Sequence, residues 1–172
     1  MTQTQEAPLV LIIGAGFSGT AVAIQLLRRA SGPLRVVIVN RSGEMARGLA
    51  YGTTSPSHLL NVPAGRMSLF PDQPGDFLAF LQGRPEPWRG GDFVPRSLYG
   101  DYLYHRLQET AAAHPGVLEQ RTGTVENLDR TGDGRLEATL ADGSTLLADR
   151  VVLTAGTHSP ATPAVLQAVD SQ

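Results

Sequence analysis

Gly14-Ala15-Gly16-Phe17-Ser18-Gly19 sets three glycines at the GxGxxG spacing, between an apolar run and a stretch of helical periodicity. That pattern suits the diphosphate of a dinucleotide. The first glycine permits a tight turn, the second lets bare backbone approach a phosphate, and the third lets a helix lie close on a strand. The helix start then offers unpaired N–H groups and the positive end of its dipole. Two rival chemistries fail on spacing: a P-loop needs Lys where Thr20 stands, and a nucleophile elbow around Ser18 needs Gly there. Ser18 reads as a loop hydroxyl.

The strand after this helix should end on an acid that accepts hydrogen bonds from a ribose, but Asn40 stands there, followed by Arg41. Asn40 can accept through its amide oxygen, or it can simply turn the chain. Arg41 can stack on an adenine or meet a 2′-phosphate, which keeps NADP open as an alternative ligand.

Elsewhere the residue types exclude more than they supply. The chain has no Cys, so disulfide exchange, thiolate nucleophiles and Cys-based zinc sites are ruled out, and redox chemistry must come from a bound cofactor. All 14 basic residues are Arg, which removes Schiff-base lysines. His58, His105, His114 and His158 show no ligand spacing, so no metal site is expected. Asp72, Asp76, Asp92 and Asp101 are too dispersed for paired-carboxylate chemistry, and Trp88, among Pro and Gly, reads as a packing anchor. A formal net charge of −2 without a basic stripe argues against nucleic acid and anionic membrane surfaces. The start of the chain is polar and acidic and the run Leu9 to Ala15 is short, so cytoplasm is the expected location.

The elements needed to position the glycines can be read around them. Residues 8–13 form a buried parallel strand, Phe17 to Arg29 a helix and Leu34 to Val39 a second strand, together one βαβ unit. Residues 41–75 show little regular structure, and a loop that long inside a domain points to function. A short helix fits Asp76 to Gln82, and a longer one, with Ser97 as N-cap, reaches His114. Leu136, Ala138 and Leu140 alternate with polar residues between Asp133-Gly134 and Asp142-Gly143, which makes 117–149 a three-stranded antiparallel meander. Val151-Val152-Leu153 is a last buried strand running into Thr154-Ala155-Gly156. The expected fold is α/β: a Rossmann-like, parallel central sheet with inserted helices and the meander.

A further series follows the fingerprint: Gly48-Leu49-Ala50-Tyr51-Gly52, His58-Leu59-Leu60-Asn61-Val62-Pro63-Ala64, Arg66-Met67-Ser68, and Phe93-Val94-Pro95-Arg96-Ser97-Leu98-Tyr99-Gly100-Asp101-Tyr102. With Val151 to Gly156, it resembles the FAD/NAD(P)-binding domain family that includes flavin-dependent L-aspartate N-monooxygenases and a urate hydroxylase. The resemblance spans about residues 8–156. It implies an FAD-binding Rossmann core over 1–156, interrupted by an insertion at 41–96, with Asn61 and Val62 near the flavin ring. It also implies that Arg96 lies near the cofactor and complements the diphosphate, or else caps a loop. Val125 would offer backbone groups to the adenine, and Ala155 and Gly156 would approach the flavin closely.

In such an enzyme the flavin carries the redox chemistry and the protein supplies binding and orientation. The resemblance implies reduction of FAD by NAD(P)H and, as an oxygenase, hydroxylation of a small polar substrate. No second glycine fingerprint follows, and residues 157–172 read as a short tail. The chain is therefore expected to stop before the rest of the enzyme and to be inactive alone, with the missing region or a second copy as its partner. Two alternatives stand beside this: an NADP-binding oxidoreductase domain without flavin, and a degenerate module that binds dinucleotide weakly.

Overall fold

The computed structural model describes residues 7–156. Strand β1 (Leu9–Ile13), helix α1 (Phe17–Arg29) and strand β2 (Arg35–Asn40) form the leading βαβ unit. A one-turn helix α2 (Gly48–Tyr51), a 3-10 turn at Ala64–Arg66, and helices α3 (Asp76–Gln82) and α4 (Arg96–Ala113) follow. Then come β3 (Leu118–Thr122), β4 (Val125–Arg130), β5 (Leu136–Leu140), β6 (Thr145–Ala148) and β7 (Arg150–Leu153). One four-stranded sheet runs in the order β3-β2-β1-β7 with all pairs parallel, and β4-β5-β6 form a separate antiparallel sheet.

The period of two along β2 explains the three layers. Val36 and Ile38 face the helices, in one cluster with Ile12, Ala23, Ile24, Leu27, Leu103 and Leu107. Val37 and Val39 point to the other face, where they pack with Leu9, Leu11, Ala138, Leu140 and Ala148 beneath the meander. A strand covered on both sides needs apolar residues throughout, and β2 is one unbroken β-branched run from Val36 to Val39.

The helix side is fixed by one polar network. The Tyr102 hydroxyl donates to Asp76 Oδ2 at 2.6 Å and accepts the Leu69 N–H at 3.0 Å. Arg106 grips the same carboxylate with two bonds, Nε to Oδ2 at 2.9 Å and Nη2 to Oδ1 at 2.7 Å. Burial, and then the Asp76 carboxylate, push the Tyr102 phenol above its usual range. The start of α3, the middle of α4 and the loop between β2 and α3 are thereby held at one point.

Four sequence expectations change. The region 117–149 is not one meander: β3 pairs parallel with β2, and only 125–148 is antiparallel. Residues 118–122 fit either partner by pattern, and the exposed side chains of Glu119 and Gln120 match a sheet edge. Ser97 is not an N-cap, because α4 starts at Arg96 with Pro95 in the cap position. Strand β7 is only partly buried, with Leu153 68% exposed. Finally, the region 41–75 contains two short helical turns.

The contact of α1 with β1 depends on Gly19, where an added Cβ would stand 1.9 Å from the Gly14 carbonyl oxygen and 2.8 Å from Thr154 Oγ1. Gly19→Ala should therefore destabilise the fold by about 3 kcal/mol or more, the upper end for overpacking. Denaturant unfolding followed by circular dichroism checks this, and a loss below about 1 kcal/mol would contradict the close packing.

Candidate dinucleotide site

Sheet order reverses around β1, since the chain passes first to β2 on one side and later to β7 on the other. In open α/β sheets that switch point opens a crevice beyond the carboxyl ends of the strands. Here the crevice holds the glycine turn. Gly14 takes φ +102°, and an added Cβ would stand 2.3 Å from the Thr154 carbonyl oxygen, so both its conformation and its space require glycine. Gly16 is the N-cap of α1 and has no side-chain cap bond, and no acidic residue lies in the first turn. The first N–H groups of a thirteen-residue helix therefore face the crevice without a side chain to neutralise them.

Gly16 differs from its two partners in the motif. A Cβ there would meet only the Gly48 Cα, at 3.7 Å, an ordinary contact. Gly48 has φ +55°, and a Cβ on it would come within 2.9 Å of the Gly16 Cα. The start of α2 thus lies on the glycine turn, and Ala46 N–H bonds the Ala15 carbonyl at 2.8 Å to hold it. Ala15 is buried, while Phe17 and Ser18 are exposed on the first turn of α1.

Asn40 is engaged with this same loop. Its Nδ2 donates to Ser42 Oγ at 2.9 Å and to the Glu44 carbonyl at 2.7 Å, and its Oδ1 accepts the Ala15 N–H at 3.4 Å. Glutamate or aspartate could not donate those two bonds. Arg41 is exposed one residue further on. Gly123 N–H bonds the Asn40 carbonyl at 3.1 Å, two residues before the half-buried Val125, whose side chain packs against the cluster beneath the meander.

Arg96 sits apart from the glycines, in a cavity of about 430 Å³ lined with Leu49, Ala50, Thr53, His58 and Leu59. Its Nε donates to the Leu59 carbonyl at 3.0 Å and its N–H to the His58 carbonyl at 2.8 Å. The cavity joins the glycine turn through α2, whose first residue is Gly48. Asn61 is exposed and Val62 half-buried just beyond the Leu59 to Pro95 bridge, next to the cavity but not in its lining. At the β7 end, Ala155 and Gly156 are exposed, and Gly156 has φ +76° with open space around it.

Sequence reasoning missed two contributors. Thr154 Oγ1 lies within bonding distance of the Gly14 carbonyl (2.7 Å) and the Ile13 carbonyl (3.0 Å), clasping the turn from β7. A small hydroxyl residue before the last glycine was the available signal. Gly48 is the other: its role depends on contact with Gly16, which no local pattern encodes. Arg47 pairs with Asp101 on α4 at 2.7 Å, and so fixes α2 from the opposite side.

Comparison with known proteins agrees with this geometry. A flavin-containing monooxygenase from Stenotrophomonas maltophilia superposes with a TM-score of 0.62 at 26% identity, over 91% of this chain and 42% of that one. Closed cyclohexanone monooxygenase shares the fold, with a TM-score of 0.66 at 19% identity over 94% of this chain and 29% of that one. The mitochondrial 5-taurinomethyluridine-[tRNA] synthase subunit MTO1 of Macaca fascicularis is 31% identical over 157 residues, covering 86% of this chain and 23% of that protein. Its counterpart in Mus musculus is 31% identical over 162 residues, with 86% and 24% covered. The chain thus spans less than half of the monooxygenase and about a quarter of the MTO1 proteins.

These relatives correct the expectation of a small-molecule substrate with nucleic acid excluded. MTO1 is named for a tRNA product, and the exclusion rested on a net charge of −2 summed over the whole chain. Such a sum is blind to how the arginines are distributed and to phosphate contacts made elsewhere in a longer protein. The relatives are also named mitochondrial, so cytoplasm has no support from them. Among the described residues no helix is long and apolar enough to cross a membrane. The family model described as FAD-NAD(P)-binding matches residues 11–158, nearly the whole chain, and the protein belongs to that family of flavoprotein-type dinucleotide-binding domains.

Proposed function

We propose that this chain holds FAD by its ADP half at the glycine turn, as the cofactor-binding part of an NAD(P)H-dependent flavoprotein oxidoreductase. The observation that carries the reading is the uncapped start of α1 at Gly16, beside a cradle that a side chain would fill. The residues present fit the group. Gly16 to Ser18 offer backbone amides to the diphosphate, with Ala15 held beside them by Asn40, the Asn40 and Gly123 corner receives the ribose, and Val125 offers backbone to the adenine. Arg96 supplies a fixed positive charge towards the diphosphate and the ring beyond it, with Asn61 and Val62 on the same loop. When bound, the flavin supplies hydride and oxygen chemistry. The protein's own share is to bind, orient and shield it.

The finer reading is an oxygen-using enzyme of the monooxygenase type, supported by the 26% identity with the Stenotrophomonas protein. A second reading, supported by the 31% identity with MTO1, is a flavoprotein that acts on tRNA. Purified protein reconstituted with FAD separates them. Oxygen uptake coupled to NADPH oxidation favours the first, and retention of labelled tRNA at physiological salt favours the second.

Gly16→Ala tests the seat of the diphosphate. Its Cβ meets nothing closer than 3.7 Å, so the melting temperature should stay near that of the parent while FAD affinity falls about tenfold or more, ~1.4 kcal/mol per tenfold. Equal flavin content in the two proteins after reconstitution would count against the site. Arg96→Ala should weaken FAD by about ten- to a hundredfold, the ~1.5–3 kcal/mol of a hydrogen bond to a charged group, with the loss shrinking as salt is raised. Titration of flavin fluorescence at two ionic strengths measures it.

A further inference from the structure

A run of aromatic rings leads away from the candidate site through the helix-side core. Tyr51 on α2 packs on Phe17, the residue after Gly16, with ring centroids 6.2 Å apart. Tyr99 lies 4.8 Å from Tyr51, and Tyr102 lies 5.4 Å from Tyr99. Phe77 fills the angle between the last two, 5.0 Å from each. Tyr99 and Tyr102 are 2% and 0% exposed. The run begins beside the cavity, since Leu49 and Ala50 of the same one-turn helix as Tyr51 line it.

The far end of the run is not apolar. The Tyr102 hydroxyl donates to Asp76 Oδ2 at 2.6 Å, and two bonds from Arg106 hold that carboxylate. Asp76 and Arg106 in turn line an open surface cleft of about 270 Å³. Packing alone would be served by Phe at positions 99 and 102, without a hydroxyl to satisfy. Phenols differ from Phe in a second respect: they can give up one electron. A phenol that does so becomes a strong acid and needs a base within hydrogen-bond reach, which Tyr102 has.

We propose that Tyr51, Tyr99 and Tyr102 form an electron relay that carries a one-electron oxidising equivalent from the dinucleotide site to the Asp76 cleft. The oxidant is an oxygen-centred radical that escapes cofactor chemistry, so the inference rests on the FAD reading above. The radical takes the phenolic hydrogen atom of Tyr51, one electron with its proton, giving water, an alcohol or a hydroperoxide. Tyr51 is refilled by an electron from Tyr99 and a proton from solvent, and Tyr99 in the same passage by an electron from Tyr102. Tyr102 passes its phenolic proton to Asp76 Oδ2, leaving a neutral tyrosyl radical beside a protonated carboxyl. A thiol- or ascorbate-class reductant at the cleft then returns the hydrogen atom, and the Asp76 proton is lost to solvent. The relay spends an external reductant in place of the cofactor site.

The chain has four tyrosines, and the fourth, Tyr104, is 44% exposed, so Tyr104→Phe gives a background in which every tyrosine belongs to the run. In that background the apoprotein is oxidised by a light flash with photogenerated tris(bipyridyl)ruthenium(III) and followed by electron paramagnetic resonance. Any Trp88 radical is set apart by its own spectrum. The expected result is a neutral tyrosyl signal that Tyr102→Phe shifts back to the upstream phenols and shortens, that Tyr99→Phe leaves stranded on Tyr51, and that Asp76→Asn shortens to background. Melting curves and near-ultraviolet circular dichroism certify each fold, and the Tyr→Phe pair keeps the rings if Asp76→Asn does not fold. An unchanged signal in folded Tyr99→Phe and Tyr102→Phe proteins overturns the relay. FAD-loaded protein under blue light should give the same radical. The ruthenium-driven signal without a flavin-driven one would keep the ring pathway and overturn the seating of FAD beside Tyr51.

Discussion

The Gly14 carbonyl oxygen lies 1.9 Å from the point a Gly19 Cβ would occupy, and the Thr154 carbonyl lies 2.3 Å from the corresponding point on Gly14. Three backbones, from β1, α1 and the end of β7, meet there, and the one side chain at the contact is the Thr154 hydroxyl. Everything that makes the crevice depends on this contact. Because α1 lies this close to β1, its first N–H groups emerge at the carboxyl edge of the sheet rather than above it. β7 closes on the other side, with the Thr154 hydroxyl bonded to the Gly14 carbonyl at 2.7 Å, so the turn is held from both flanks. A binding corner whose donors are already in place loses less on ordering them.

The loop after β2 extends that corner. Asn40 stands where an acid is expected, and its amide donates twice into the loop, to Ser42 and to Glu44, which a carboxylate cannot do. The substitution therefore has an internal logic. A residue that would have faced a ribose also builds the segment that delivers Gly48 to Gly16. Arg47, next to Gly48, is in turn anchored by Asp101 on α4 at 2.7 Å. The glycine turn, α2 and α4 are thus coupled, and Arg96 at the start of α4 inherits a fixed position from the same arrangement.

How much of this was legible in the sequence follows from how local each feature is. The leading βαβ unit was read nearly residue by residue, since burial on both faces of β2 and the helical period of α1 leave a strong signal within a short window. The short α3 and the β5 alternation were read for the same reason. Strand β3 was misassigned because its five residues carry no clear pattern, and its parallel partner lies about eighty residues earlier in the chain. The glycines of the fingerprint were legible as a motif, but the reason for each was not. Gly14 and Gly19 are required by backbone contacts with each other and with Thr154, whereas Gly16 keeps room open, and only the three-dimensional neighbours separate these roles. Nucleic acid was wrongly excluded because net charge is a sum, and a sum carries no positions.

The two faces of the sheet also differ in chemistry. Under the meander the core is Leu, Val and Ala throughout, side chains that bring no polar group to satisfy. On the helix side the core contains Phe77, Tyr99 and Tyr102, with Tyr51 and Phe80 against them. The Tyr102 hydroxyl carries a polar group into that core, and it is met by the Leu69 amide and by Asp76, whose carboxylate Arg106 also holds. If volume were the only requirement, that arrangement would be needlessly polar, since aliphatic packing closes the opposite face with no such network. The aromatic side is also the side that carries α2, Arg96 and the approach to the glycine turn. The aromatic rings are therefore concentrated on the side of α2 and the glycine turn and are absent from the aliphatic cluster beneath the meander, an asymmetry that packing alone does not require.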